Sequence, residues 1–94
     1  MPRCSVIFTD KAESDLRRIT YYLFDNDFDT NKVFEIRRET ERVLSERANG
    51  GIIFDEKRGI RKILILKVNS VYYSINGETV NVIHIRAGKM NRKI

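Results

Sequence analysis

The sequence has few of the residues that build disulfides and metal sites. Its 94 residues include one cysteine, Cys4, and one histidine, His84. A single cysteine excludes an internal disulfide and favours a reducing, cytoplasmic setting. One cysteine and one histidine are also too few for a thiolate–imidazole zinc site. We therefore expect neither a bound metal nor a cofactor.

Long apolar runs are missing as well. No stretch approaches the length of a membrane span, and the opening MPRCSVIFTD is too short and too quickly polar for a signal peptide. The chain lacks repeats, a linker, and any Ser-His-Asp, phosphate-loop or paired-glycine signature. Because the length suits one modest core, we predict a single domain over residues 1–94 with no membrane association.

Negative charge is scarce in one half of the chain. Residues 1–50 hold nine Lys/Arg against ten Asp/Glu, a net of −1, whereas residues 51–94 hold nine against three, a net of +6. The overall formal charge of +5 thus comes from the C-terminal half. Such a field favours an acidic partner, either nucleic acid or an acidic protein segment.

Apolar spacing divides the chain into a helical half and a β half. A β-branched run at residues 3–9 predicts a strand. Helical spacing of Ala12, Leu16, Ile19 and Leu23 predicts a helix over 11–24 that is capped by Asp10 with Glu13. A second apolar stripe predicts a helix that starts near Asp29 or Thr30. Its members are Val33, Ile36, Thr40, Val43 and Leu44.

The remaining chain is predicted to be β-structure. The expected strands cover 51–54, 59–67, 71–76 and 79–86, with turns at Asn69-Ser70 and Asn76-Gly77. One strand, a two-helix hairpin and an antiparallel meander predict an α+β fold in which both helices pack on one face of the sheet.

The predicted turns also assign side chains to the two faces of the sheet. Tyr73 would face Val80 on the helix-covered side, with His84 pointing to the same side. Four isoleucines would form an apolar patch beside basic residues on the second side. Either the patch is a contact surface, as such patches usually are, or a chain end folds over it. They are Ile63, Ile65, Ile83 and Ile85.

Three short motifs, together spanning nearly the whole chain, resemble the ParE/RelE superfamily of toxins from bacterial toxin–antitoxin systems. The stretch FTDKAESDLRRITYYL is similar to the family's opening Ala-x-x-Asp-Leu-x-x-Ile-x-x-Tyr. Gly59 and Arg61 match a Gly-x-Arg that opens the meander. The final hairpin is similar to the ParE-type hairpin, although Ala87 stands where the family often has His. The matched opening residues are Ala12, Asp15, Leu16, Ile19 and Tyr22.

The resemblance implies a toxin that a cognate antitoxin neutralises, with the two chains forming a hetero-oligomer. We expect the antitoxin on the helix pair and the second sheet side, and the target on the basic segment. The antitoxin-binding candidates are Ile63, Ile65, Tyr72, Ile83 and Ile85. The target-binding candidates are Lys57, Arg58, Arg61, Arg86 and Lys89.

Toxins of the family that this chain resembles act either by inhibiting DNA gyrase or by cleaving messenger RNA. We predict DNA gyrase inhibition without enzymatic activity. RelE-type ribonucleases commonly carry Arg in a Tyr-Arg-x-x-Tyr strand, where this chain has Tyr72, and no tyrosine follows Tyr73 here. The alternative is a ribosome-dependent mRNA endoribonuclease, with Arg61, His84 and Arg86 as catalytic candidates. A non-toxic nucleic-acid-binding module is a third hypothesis, which growth arrest on expression would exclude.

Overall fold

The computed structural model of this chain describes residues 4–88. Its elements are strand β1 (Ser5–Phe8), helices α1 (Asp10–Asp25) and α2 (Lys32–Glu46), a 3-10 turn (Ala48–Gly50), and strands β2 (Ile52–Asp55), β3 (Ile60–Ile65), β4 (Asn69–Asn76) and β5 (Thr79–Arg86). This order confirms the predicted α+β fold. No helix in the described part of the chain is long and apolar enough to cross a membrane.

Both helices bury the apolar stripes that predicted them. The cap of α1 differs by one residue from the prediction, because Thr9 and not Asp10 occupies the N-cap. The Thr9 hydroxyl accepts the Ala12 amide at 3.3 Å and donates to the Val82 carbonyl at 2.8 Å. One side chain therefore caps the helix and ties its start to β5. The buried stripe residues are Ala12, Leu16, Ile19, Leu23, Val33, Ile36, Thr40, Val43 and Leu44.

The sheet has five strands in the order β1-β5-β4-β3-β2, so β1 and β2 form its two edges. β1 runs parallel to β5, and the other neighbours are antiparallel. The helices cover one face, where their stripes meet the inward side chains of the sheet. The main sheet residues in this core are Ile65, Val71, Tyr73, Val80, Val82 and Ile85.

The β3–β4 turn lies earlier than predicted. Ile65 pairs with Asn69, so the loop consists of Leu66, Lys67 and Val68. Leu66 and Lys67 have positive φ values of 53° and 75°, a conformation that usually needs Gly or Asn and that sequence patterns do not reveal at these residues. The predicted Asn69-Ser70 turn is wrong: Asn69 is buried within β4.

A β-bulge changes the second half of the β4–β5 hairpin. Asn76 pairs with Thr79, so Gly77 and Glu78 form the loop, one residue later than predicted. Tyr73 pairs with Val82 and Tyr72 with His84, which leaves Ile83 as the extra residue of the bulge. The bulge reverses the alternation, so that Ile85 turns into the core and His84 joins Tyr72 on the other face.

Candidate functional site

The face of the sheet opposite the helices has no covering element among the described residues, and we call it the open face. It is identified by the register: Tyr72 lies between Lys62 and His84, and Ser70 between Leu64 and Arg86. Several of its apolar side chains are more than half exposed. These are Ile52 at 68%, Phe54 at 58% and Leu64 at 56%. Exposed apolar groups beside cations are typical of a contact surface.

Aromatic rings and a cation form a line across four strands of the open face. Phe54 on β2 meets Tyr72 on β4 edge-on, with ring centroids 4.9 Å apart. Tyr72 stacks on His84 of β5 at 5.4 Å, and the Lys62 ammonium of β3 lies 5.8 Å from the Tyr72 ring centre. We call these four residues the ring row. Its planar surfaces are suited to stacking against a flat group, with positive charge beside it.

One end of the ring row is fixed by a buried carboxylate, Asp15 of α1, which has no exposed surface. Its Oδ1 accepts Lys11 Nζ at 2.5 Å and Arg18 Nη1 at 3.0 Å. Its Oδ2 accepts His84 Nδ1 at 2.7 Å and the Ile85 amide at 2.9 Å. Asp15 thereby joins α1 to the edge of β5 and sets the orientation of the His84 ring.

The environment of Asp15 keeps it ionised. Burial alone would raise the pKa of this carboxyl, but hydrogen bonds from Lys11, Ile85, His84 and Arg18 outweigh burial and lower the pKa to about 2. An ionised carboxylate only accepts hydrogen bonds, so His84 must carry a hydrogen on Nδ1. Lys11 Nζ, 3.1 Å from that nitrogen, therefore donates to Asp15 and not to the ring. Nε2 remains as the second polar atom of the ring.

The predicted antitoxin-binding set does not form one surface. Ile65 and Ile85 are 1% and 2% exposed and belong to the core, so placing them in an exposed patch was wrong. Ile63 packs against that core and Ile83 is half-buried in the bulge, which leaves Tyr72 on the open face. The cause is physical: the displaced β3–β4 turn and the bulge each exchange the two faces of a strand.

The predicted target-binding residues are separated by the sheet. Lys57 and Arg58 are exposed in the β2–β3 turn, and Arg86 is exposed at the far end of β5. Ile60, which follows the turn, pairs with Ser74 of β4, whereas Arg86 pairs with Ser70. The four-residue rise of β4 between Ser70 and Ser74 therefore puts about 13 Å between these two groups. Lys89 lies outside the described residues. Whether any of these residues binds a target remains a prediction.

The three catalytic candidates do not converge either. Arg61 pairs with Tyr73 on the helix-facing side of the sheet, and its Nη1 donates to the Gly51 carbonyl at 3.0 Å. His84 and Arg86 lie two strands away on β5, where their pairing with Tyr72 and Ser70 puts both on the open face. The prediction that His84 points to the core side was wrong because of the bulge, and its Nδ1 is hydrogen-bonded to Asp15.

Sequence reasoning missed Ile52, Phe54, Lys62 and Leu64 as open-face residues. The run Ile52-Ile53-Phe54 was recognisable as a short strand, but its three successive apolar residues have no alternation that would assign a face. Asp15 was visible only as a motif residue, because its pairing with His84 joins positions 69 residues apart. Within residues 4–88, no group of three or more His, Cys, Asp or Glu residues has the arrangement to hold a metal ion.

A strand, two helices and an antiparallel meander define the class of fold, and comparison with solved structures gives its relatives. A chain of the chromosomal ParDE toxin–antitoxin system from P. aeruginosa has a TM-score of 0.71 and 21% identity, covering 90% of this chain and 96% of that chain. A chain of the toxin–antitoxin complex RelBE2 from Mycobacterium tuberculosis has a TM-score of 0.71 and 18% identity, covering 93% of each.

The fold is therefore that of the ParE/RelE toxins, as the motifs implied. No protein-family model and no curated protein sequence matches the chain.

Proposed function

We propose that this chain is the toxin of a type II toxin–antitoxin system, that it inhibits DNA gyrase, and that a cognate antitoxin neutralises it by binding in a hetero-oligomer. The observation that carries the proposal is the fold shared with chains from two toxin–antitoxin systems over at least 90% of this chain. An open face with exposed apolar side chains and a basic C-terminal half supports an acidic protein partner.

The separation of Arg61 from His84 argues against an RNA-cleaving site built from these two residues, and so favours gyrase inhibition. A ribonuclease must hold a base and a cation within reach of one phosphodiester. Arg61 is bonded to Gly51 on the helix-facing side of β3, whereas His84 lies two strands away, on the open face of β5. An inhibitor that binds by charge and shape has no such requirement.

Growth and enzyme assays test the proposal together. We expect growth arrest when the chain is induced alone. Co-expression of the product of the adjacent gene, where the antitoxin of such a system is usually encoded, should rescue growth. Purified chain should stop gyrase from supercoiling relaxed plasmid and should leave messenger intact on programmed ribosomes. Unaffected growth would overturn the toxin assignment. Intact supercoiling with cleaved messenger would overturn the gyrase assignment alone.

The ring row supports one second candidate, a ribosome-dependent endoribonuclease. Tyr72 and His84 offer stacking surfaces for a base, and the bond from Nδ1 to Asp15 leaves Nε2 to act on a proton. If messenger is cleaved, His84→Ala should reduce cleavage at least about a hundredfold, the usual size of a general-base effect. Arg61→Ala, altered on the other side of the sheet, should then retain cleavage.

A further inference from the structure

Exposed aromatic side chains are concentrated where the two helices are joined, in residues 21–35, which we call the helix junction. Tyr21 and Phe24 of α1 are 65% and 71% exposed, and Phe34 in the first turn of α2 is 62% exposed. Tyr21 and Phe24 are three residues apart, so they are neighbours on the outer surface of α1, away from the stripe that this helix buries. Aromatic rings left in water in this number usually mark a protein contact surface, where Tyr and Phe are enriched.

The loop of the helix junction is fixed by its own contacts. The Phe28 amide donates to the Leu23 carbonyl at 2.8 Å, and the Phe28 side chain packs against the core. Asp29 Oδ1 accepts the Asn31 amide at 2.9 Å just before α2 begins. Because this end of the molecule holds its shape before any partner arrives, binding there would cost little ordering of the toxin.

The helix junction is acidic, although the chain as a whole is basic. Residues 21–35 contain four Asp/Glu and one Lys, a net of −3, in a chain whose formal charge is +5. In the part of the chain that the structure describes, these four carboxylates are exposed and form no ion pair. They are Asp25, Asp27, Asp29 and Glu35. Carboxylates beside exposed rings attract a cationic protein surface and oppose an acidic one.

This charge selects among the possible occupants. An acidic antitoxin segment, which the basic half of the chain attracts, is repelled by the helix junction. Two copies joined through their helix junctions would bring two clusters of −3 together, and like charges oppose association. A cationic surface of gyrase fits, since an enzyme that handles DNA holds phosphates with Lys and Arg.

We infer that the helix junction docks on DNA gyrase, with Tyr21, Phe24 and Phe34 against apolar sites on a surface rich in Lys and Arg. The inference rests on the proposed function and names the part of the toxin that recognises the target. It assigns this end of the helix pair to the target, in place of the antitoxin expected there from the sequence. The basic β half stays available for an acidic surface of the same target, so the two contacts have opposite signs.

The experiment removes one ring from the helix junction and one apolar group elsewhere. Phe24→Ala alters the junction. Ile53→Ala alters a 58%-exposed side chain of β2, on the side of the sheet that faces the helices. Circular dichroism checks each fold, and inhibition is measured as supercoiling of relaxed plasmid by gyrase. We expect Phe24→Ala to raise the half-inhibitory concentration at least about tenfold and Ile53→Ala to change it less than about threefold.

Tyr21→Ala repeats the test if Phe24→Ala does not fold. A folded ring variant that inhibits gyrase as strongly as wild type would overturn the junction as the contact. So would a loss of potency in Ile53→Ala equal to that in the ring variant.

Binding of the purified product of the adjacent gene supplies a second readout. Its affinity for Phe24→Ala should stay within about threefold of its affinity for wild type, because the junction opposes an acidic segment. A tenfold loss of this affinity would overturn the choice of gyrase as occupant. A wild-type dimer that Phe24→Ala dissociates would also overturn that choice.

The sign of the contact has its own test. Asp25→Lys should raise the half-inhibitory concentration about threefold at low salt, and the increase should shrink near 0.3 M salt. An Asp25→Lys chain more potent than wild type would show that the junction meets an acidic surface, and would overturn the inference. Failure of the wild-type chain to inhibit gyrase rejects the proposed function itself. Inhibition by wild type and the ring variant alike rejects only the junction, so the two failures are distinguishable.

Discussion

At the scale of single residues, Asp15 has the most connected side chain of the described structure. Its two oxygens accept four hydrogen bonds from α1 and β5, and the carboxylate has no exposed surface. Two of the donors, Lys11 and Arg18, are themselves more than half exposed, so their charges remain in water. The stabilising part of the arrangement is therefore the pair of contacts to His84 and the Ile85 amide, where β5 extends past the end of β1 and is paired on its β4 side alone.

Asp15→Asn should destabilise the fold by about 2 kcal/mol at neutral pH. The pKa is lowered from 3.8 to about 2 in the folded chain, and this difference corresponds to about 2 kcal/mol. A lowered carboxyl pKa contributes stability that is complete above the unfolded value and is lost as pH falls through the folded value. Urea unfolding at pH 7 and pH 3 should show the difference between wild type and variant shrinking by about half.

Asp25→Asn is the matched control, because Asp25 is exposed at the end of α1. Its effect should stay within about 0.5 kcal/mol at both pH values. An Asp15→Asn chain as stable as wild type at pH 7 would contradict the assignment of Asp15 as the fixed link between α1 and β5.

The backbone of Lys67 is strained, because its φ of 75° lies in the left-handed region. This conformation costs a residue with a Cβ roughly 1 kcal/mol or more, and glycine adopts it freely. Lys67→Gly should therefore raise the free energy of unfolding by about 0.5 kcal/mol, after the entropy of the added glycine is subtracted. Lys62→Gly, within β3, should lower it. Thermal unfolding measures the stability of both variants relative to wild type. A Lys67→Gly chain less stable than wild type would be inconsistent with strain in this loop.

At the scale of elements, the helices could be predicted from the sequence and the strand register could not. The apolar stripes, which include Leu16 and Leu23 of α1 and Ile36 of α2, have a period that fixes both the helix and its buried side. A strand has a period of two, so one displaced residue exchanges its faces. Here the left-handed loop at Leu66-Lys67 and the bulge at Ile83 each supply such a displacement, without a glycine to signal either one.

The same reasoning explains which part of the site was predictable. Tyr72 was assigned to the correct side because its side follows from the alternation within β4, and the extra residue of the bulge lies in β5. His84 was not, because its side depends on the bulge. Ile65 was assigned to the wrong side because the loop between β3 and β4 was placed too late. Long-range contacts such as Asp15–His84 depend on all of these registers together.

The attachment of β2 to the sheet makes a prediction at this scale. A Cβ at Gly51 would overlap the Tyr73 hydroxyl and lie 2.8 Å from the Lys62 carbonyl, whereas one at Gly50 would meet only Arg47 Cβ, at 3.8 Å. Gly51→Ala should thus cost about 1–3 kcal/mol through overpacking, and Gly50→Ala should be nearly neutral. Urea unfolding measures both. If the two alanine variants have equal stability, the Tyr73 hydroxyl does not pack closely against the start of β2.

At the scale of the whole molecule, the charged side chains of the helices differ from those of the sheet in how they are paired. On the helices, Arg37 pairs with Glu13 of α1, and Arg42 with Glu39 and Glu46 on α2. Among the described residues, no ion pair joins Lys57, Arg58 or Arg86 to a carboxylate. The helical half is thus close to neutral and internally paired, and the positive field extends from the β half. A target with acidic surface is attracted to that half.

Salt dependence tests this distribution under the proposed gyrase mechanism. Arg86→Ala and Arg58→Ala each remove one exposed charge from the β half, so each should raise the concentration needed for half-inhibition of supercoiling by about threefold at low salt. Exposed charges are screened over about 10 Å at 0.1 M salt, so the loss should largely disappear near 0.3 M. Arg38→Ala removes an exposed charge from α2 and should change potency little at either salt concentration. If Arg38→Ala weakens inhibition as much as Arg86→Ala, or if the effect of Arg86→Ala persists at high salt, the target does not meet the β half through its charge.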